Sequence, residues 1–391
     1  MRAPVDLDFA RSGIIDPRVT ISRASGGTRR GPDGVWREVG VNTGRLHWDA
    51  AGVALGLLIE PTRTNIWTNP RMEPVSGAGL PTTYATAGTD TSITTYLAQS
   101  STLGVQGRRV QVVGTAAVNI FRHLSTLPVA LAEGSYVFSR FAAFLSGWGV
   151  PAPRLTAFGA TATPTEITPS AALVRYSLPV VIPSGGGSPA FAVGTNPAIA
   201  AGAALNLDAF FGWDGLEAGL YATTPILPPV GTPGASTRAA ETMVTLLARY
   251  GLTVPLRECG MLFAGRAPAG LEVGGAAQRM IALTDGTADN VIALDRLNNR
   301  TVRATVTVGG VEQGTATTTA TVADSADFLV GVGASAGGMS LSLNGATVIT
   351  GSPALFPAVD RLAGGNWGGT CARVAVWPMR PSDAFLRVIT T

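Results

Sequence analysis

The chain has 391 residues, room for two or three domains at about 150 residues each, and only 14% of them are charged. All 28 basic residues are arginine, and the formal net charge is +3. The lack of lysine excludes Schiff-base, phosphate-loop and Ser-x-x-Lys chemistry, and the small charge argues against bulk attraction to nucleic acid or an anionic membrane.

The N-terminus opens with Pro4, Asp6 and Asp8 where a secretory signal would carry an apolar run, so synthesis in a bacterial cytoplasm without a signal peptide is expected. The most apolar stretch, 197–211, is broken by Gly202, Asn206 and Asp208 and is too short to span a bilayer, so no membrane insertion is expected. Helical periodicity is scarce. Short runs of Val, Thr, Leu and Phe alternate instead with Gly, Pro, Asn and Asp, the pattern of antiparallel sandwiches. The expected fold class is all-β, with two antiparallel β-sandwich, jelly-roll-like domains after an N-terminal segment.

In chain order, a soft boundary falls near Pro61, and strands are predicted over 108–113, 135–144, 172–181 and 205–211. The proline-dense stretch 225–234 withholds ladder donors and reads as a linker or strap, which places a second boundary near residue 238. Beyond it strands are predicted over 259–265, 279–284 and 290–295. A hairpin follows over 301–308, turning at Gly309-Gly310 and continuing from Val311. Further strands are expected at 328–332 and 373–377, and a terminal helix begins at Ser382 as N-cap. Between them Met339 to Leu343, Asn344-Gly345 and Ala346 to Ile349 spell a type I′ hairpin. The division expected is 1–60, 61–237 and 238–391.

Few motifs carry chemistry. Gly333-Ala334-Ser335-Ala336-Gly337 has the spacing of a nucleophile elbow, but no helix pattern and no histidine follow it, so it reads as an inter-strand turn. His47 and His123 are the only histidines, too few for a histidine-held metal. Cys259 and Cys371 read as buried free thiols, with a single bridge as the alternative. Asp208, Asp214 and Glu217 lie close enough in sequence to supply a hydrolytic carboxylate pair, although a structural role suits them better. The loop carrying Asp285 and Asp289 is a weak calcium candidate that fails the EF-hand spacing. Neither a catalytic residue nor a cofactor is expected.

Aromatic residues on glycine-rich loops can stack on sugar rings. Trp367 with Asn366, between glycine pairs, is the first candidate; Trp148, flanked by Gly147 and Gly149, and Tyr84 follow.

Three stretches organise nearly the whole chain. Leu7-Asp8-Phe9, Asp16 to Ser25 and Leu55 to Asn65 form the first. Trp213 to Pro225 with Thr237-Arg238-Ala239-Ala240-Glu241 forms the second. Ser342 to Gly345, Asp360 to Gly365 and Arg373 to Leu386 form the third. Together they resemble tail-fibre and head-spike adhesins of phages and gene transfer agents. The stretch from Trp213 resembles the end of a jelly-roll, carbohydrate-binding-module-like domain, and the stretch from Ser342 is similar to a concanavalin- or laminin-G-like sandwich. Gly215 and Glu241 replace the Gln-like and Asp residues more usual there, so ligand chemistry is not carried over.

The resemblance implies a protein on the surface of a virion or phage-like particle that binds host capsular or cell-surface polysaccharide and promotes adsorption. It also implies that residues 1–60 attach to other particle proteins. A homo-oligomer is expected from the weakly charged surface. The alternatives are a structural fibre or decoration protein without a ligand, and a polysaccharide depolymerase.

Overall fold

The computed structural model describes residues 3–73, 81–86, 93–115, 120–126, 129–146, 153–158, 166–168, 170–272 and 276–391. The chain is mostly β, in antiparallel sheets, and divides into two compact units. One joins Met1–Thr62 to Arg238–Thr391, and the other is Arg63–Thr237. The expected separate N-terminal segment is therefore an integral part of the C-terminal sandwich.

That unit has two large sheets and a separate two-stranded one, Gly27–Arg30 with Trp36–Val39. In the first, the strands run in the spatial order Ile349–Gly351, Gly338–Leu343, Asp327–Ser335, Glu258–Arg266, Gly369–Trp377, Ala54–Ile59 and Arg45–Trp48. Val5–Asp8 pairs with residues 373–376 of the Gly369–Trp377 strand, beside the stretch 369–371 that pairs with Ala54–Ile59. The second sheet runs Thr20–Ser22, Thr242–Leu246, Arg361–Gly365, Gln278–Thr284, Val291–Arg296, Thr301–Val308 and Val311–Thr321. Residues 1–62 thus give strands to both sheets, and their apolar side chains Val5, Leu7, Phe9, Leu57 and Ile59 lie in the same core as Met261, Phe263, Leu294, Val374 and Val376.

Alternation decides which side chains enter that core. On Thr301–Val308, Val302, Ala304 and Val306 point inward and are fully buried, which turns Thr301, Arg303, Thr305 and Thr307 to the opposite face. A buried ion cluster closes the join between the first and last parts of the chain. Arg23 and Arg45 both pair with Glu241, while Glu60 takes Arg45 at 2.8 Å and Arg238 at 3.3 Å.

The middle unit packs two more sheets. One runs Val174–Ile182, Gly134–Ser146, Ala204–Ala218, Gln106–Thr115 and Ile93–Ser100; the other runs Glu166–Ile167, Pro153–Phe158, Ala190–Ile199, Ile120–Thr126 and Tyr84–Thr86. Phe138 and Phe191 stack at 4.0 Å between ring centroids, and Trp67 meets both edge-on. The proline-dense strap is held to this unit: the Ile226 carbonyl accepts from Asn65 Nδ2 at 2.9 Å and the Pro228 carbonyl from Arg71 Nε at 2.6 Å.

Most predicted strands are present, usually extended by one to a few residues, and Ser382 caps the helix Asp383–Ile389. The Gly309-Gly310 turn forms, with Val308 paired to Val311. The Asn344-Gly345 turn also forms, with both residues at positive φ and Ala346 N donating to Leu343 O. Its second strand differs from expectation. Pairing resumes only at Ile349–Gly351; in between, Gly345 N donates to Thr390 Oγ1 and Ala346 O accepts from Ser342 Oγ.

Candidate functional site

Trp367 does not stand on the surface. It is fully buried, packed edge-on against Phe263 and Phe328 at 5.8 and 5.7 Å, with Nε1 donating to Thr370 O. The flanking glycine serves this inward turn: a Cβ at Gly369 would stand 2.3 Å from Arg266 O and 2.7 Å from Trp367 Nε1. Tyr84 is also buried; its hydroxyl donates to Asp214 and accepts from Arg140 at 2.7 Å. Trp148 lies outside the described residues. Only Asn366 remains exposed. Among the other described tryptophans, Trp36 and Trp48 are half-buried, Trp36 against His47 and Trp48 beneath the Arg29 guanidinium.

The carboxylates of the middle unit are occupied. Asp214 is buried against Arg140, with the Nε contact at 2.8 Å, and burial pushes its carboxyl up while pushing the Arg140 guanidinium down to about 9. Glu217 is buried and accepts from the Thr223 hydroxyl at 2.6 Å; Asp208 accepts from Arg109 and Gln111. The Asp285 carboxylate accepts from Thr287 Oγ1, Thr287 N and Asn290 Nδ2, bonds that hold it down at about 2. Those bonds hold its oxygens within the loop. Among the described residues no group of three or more His, Cys, Asp or Glu is placed to hold a metal. Cys259 and Cys371 are free and buried, and burial pushes the Cys259 thiol up to about 12.

The acidic loop does, however, build a wall. Thr284 Oγ1 donates to Thr287 O at 2.7 Å and accepts from Gly286 N, while Gly309 N and Gly310 N donate to Asn290 Oδ1 and Asp289 O. The loop and the neighbouring hairpin turn are thereby tied together. Beside them, on the outer face of the seven-stranded sheet, lies an open groove of about 520 Å³. Ala282, Val291 and Ala293 form a small apolar cluster separate from the main core. Ala282 and Val291 line the groove with Ala363, Gly364 and Gly365, and Thr287, Ala288 and Asn366 complete its rim.

One end of the groove is charged. Arg279 Nε donates to Asp295 Oδ1 at 2.8 Å, and Arg303 reaches Asp295 Oδ2 only at 3.8 Å. The two guanidiniums are part exposed and the carboxylate is buried. Two cations therefore share one anion. Arg303 Nε and Thr305 Oγ1 are both buried and have no hydrogen-bond partner among the described residues.

Sequence reasoning missed Arg279, Asp295 and Arg303. The available signal lay in 279–284 and 291–295, which read as nearly continuous apolar runs with alanine at alternate outward positions, so that the outer face itself is nearly dry. An apolar floor of small residues with a rim of hydroxyl, amide and guanidinium groups suits the flat face and hydroxyl edge of a sugar ring.

No family model and no curated protein matches the sequence. Among solved structures, the CBM40 of a Ruminococcus gnavus IT-sialidase bound to α2,3-sialyllactose is 21% identical, with a TM-score of 0.29 over 35% of this chain and 84% of that one. A heptameric SAP-like pentraxin from Limulus polyphemus is 9% identical, at 0.29 over 38% and 75%. The binding domain of botulinum neurotoxin DC in complex with SialylT is 10% identical, at 0.30 over 39% of each chain. Overlap this slight transfers neither ligand nor activity to the present chain, whose fold is read from its own strands.

Proposed function

We propose that the protein is an adhesin of a virion or phage-like particle, and that it holds host capsular or cell-surface polysaccharide in the groove of the seven-stranded sheet. The observation that carries the glycan part is the groove: small apolar residues Ala282, Val291, Ala363 and Gly365 below, polar Thr287, Asn366, Arg279 and Arg303 around. The particle part rests on the resemblance of the three sequence stretches. Binding without hydrolysis is the reading supported by the buried, hydrogen-bonded state of Asp214 and Glu217, which leaves neither free to act on a sugar. A single shallow sugar site binds weakly, so attachment would draw on many copies acting together on one particle.

Labelled protein is expected to bind encapsulated cells and not isogenic cells lacking capsule, and Ala363→Phe, which fills the groove, is expected to abolish the difference. Equal binding to both cell types overturns the polysaccharide reading. Immunogold labelling of intact particles tests the placement separately; absence of label from particles overturns it.

A further inference from the structure

The charge at one end of the groove narrows the ligand further. Arg279 and Arg303 face a single carboxylate, and Asp295 has already given Oδ1 to Arg279 Nε at 2.8 Å. Arg303 stands 3.8 Å from Oδ2, a looser ion pair beyond hydrogen-bond length, so two guanidiniums share one carboxylate and this end carries an excess positive charge. Arg303 Nε is buried without a partner, as is Thr305 Oγ1 two residues along the same face of the same strand.

The neighbouring strand brings no competing carboxylate here: Thr317 pairs with Arg303 and Thr315 with Thr305. Acidic groups gather at the other end of the groove, where Asp285 is held within its loop and Arg361 pairs with Asp360. The groove therefore has an apolar floor and an uneven charge, cationic at Arg303 and bordered by an acidic loop at the opposite end. A guanidinium fork matches a planar carboxylate in two parallel hydrogen bonds.

Resting on the glycan reading above, we infer that the groove selects an acidic polysaccharide, with the carboxylate of a uronic or similar sugar acid seated on the part-exposed guanidinium of Arg303. Arg279 and Asp295 position that arginine. The neutral part of the sugar lies over Ala282 and Ala363.

The test is a printed array of bacterial polysaccharides, each in native form and after chemical reduction of its carboxyl groups to alcohols. The full chain is probed beside Arg303→Gln, Arg303→Lys, Ala363→Phe and the surface control Arg387→Gln. Expected is binding to at least one native acidic polymer, about tenfold or more weaker to its carboxyl-reduced form. Arg303→Gln should erase that difference while leaving the thermal midpoint within a few degrees, and Arg303→Lys should retain part of it because charge remains but the fork is lost. Arg387→Gln should bind as the parent does.

Equal binding to native and reduced polymers, abolished by Ala363→Phe, overturns the acidic selection and leaves the glycan reading standing. A preference for native polymer that survives Arg303→Gln overturns the assignment to Arg303. Binding to no polymer, or binding indifferent to Ala363→Phe, overturns the glycan reading and this inference with it.

Discussion

Arg45 and Glu60 meet at 2.8 Å inside the C-terminal sandwich, both fully withdrawn from water, and they join the N-terminal segment to itself before either touches the rest of the unit. The same arginine pairs with Glu241, and Glu60 also takes Arg238. Glu60, Arg238 and Glu241 belong to the stretches Leu55 to Asn65 and Thr237 to Glu241 that carry the likeness to particle adhesins. Their shared role is to close a chain whose middle leaves the sandwich at residue 62 and returns at 238.

Removing one anion from this cluster leaves buried guanidiniums uncompensated. Glu241→Gln is expected to destabilise the sandwich by about 3–5 kcal/mol, read as a lower urea midpoint. Deleting residues 1–62 should leave 238–391 unable to fold, since strands of both sheets go with them. A truncated chain that melts cooperatively near the parent temperature would show that the segment is dispensable.

His47 gives the same unit a pH dependence. Burial holds its imidazole at about 4, below the usual 6.5, and its Nδ1 accepts from Arg30 N at 3.2 Å, which requires the neutral ring. Between pH 6.5 and 4 the unfolded chain takes a proton that the folded chain refuses. Stability is therefore whole above about 6.5 and falls as pH drops through this window, by about 2 kcal/mol for a ring that keeps some contact with water. Unfolding free energies from urea titrations at pH 7 and 4.5 should differ by about that amount in the parent and by clearly less in His47→Gln.

In the middle unit Arg140 depends on Asp214. The guanidinium lies among Phe138, Tyr84 and Phe211, where an unpaired charge is costly, so Asp214→Asn should lower stability by about 3–5 kcal/mol. Incubation of the parent with a bound polysaccharide should release no new reducing ends. Release that Asp214→Asn or Glu217→Gln abolishes, in protein still folded by circular dichroism, would establish a depolymerase.

The strands were legible because one face of most is packed on a core, which imposes a period of two that survives in Val302, Ala304 and Val306. The chain leaves the C-terminal sandwich after residue 62 and returns at 238, near a change of composition and a stretch dense in proline. That 1–62 and 238–391 form one body was not legible, because strand pairing across more than 300 residues, such as Asp6 with Ala375, leaves no local trace. The groove escaped for a related reason. Its members come from four non-adjacent stretches, and its floor is alanine and glycine, residues that advertise nothing. Trp367 misled because glycine neighbours permit a close ligand and a tight inward turn equally well; Phe263 and Phe328, about 100 and 40 residues upstream, settle the matter.

Trp367 and Ala363 lie four residues apart and should respond to mutation in opposite ways. Trp367 fills the space between Phe263 and Phe328, so Trp367→Phe leaves a void that the rigid sheets cannot collapse, costing on the order of 2 kcal/mol. Its ring makes no part of the groove, and polysaccharide binding by the folded protein should be unchanged. Ala363 faces outward at the groove floor and is part exposed, so Ala363→Phe has room above it and should change stability by only about 0.5 kcal/mol. The added ring would occupy the space over Ala282, and affinity should fall at least about tenfold, as expected when an apolar contact surface is lost to a clash. Denaturation and binding measured on the same two preparations decide it. Loss of binding in Trp367→Phe at full stability would return the indole to the ligand site.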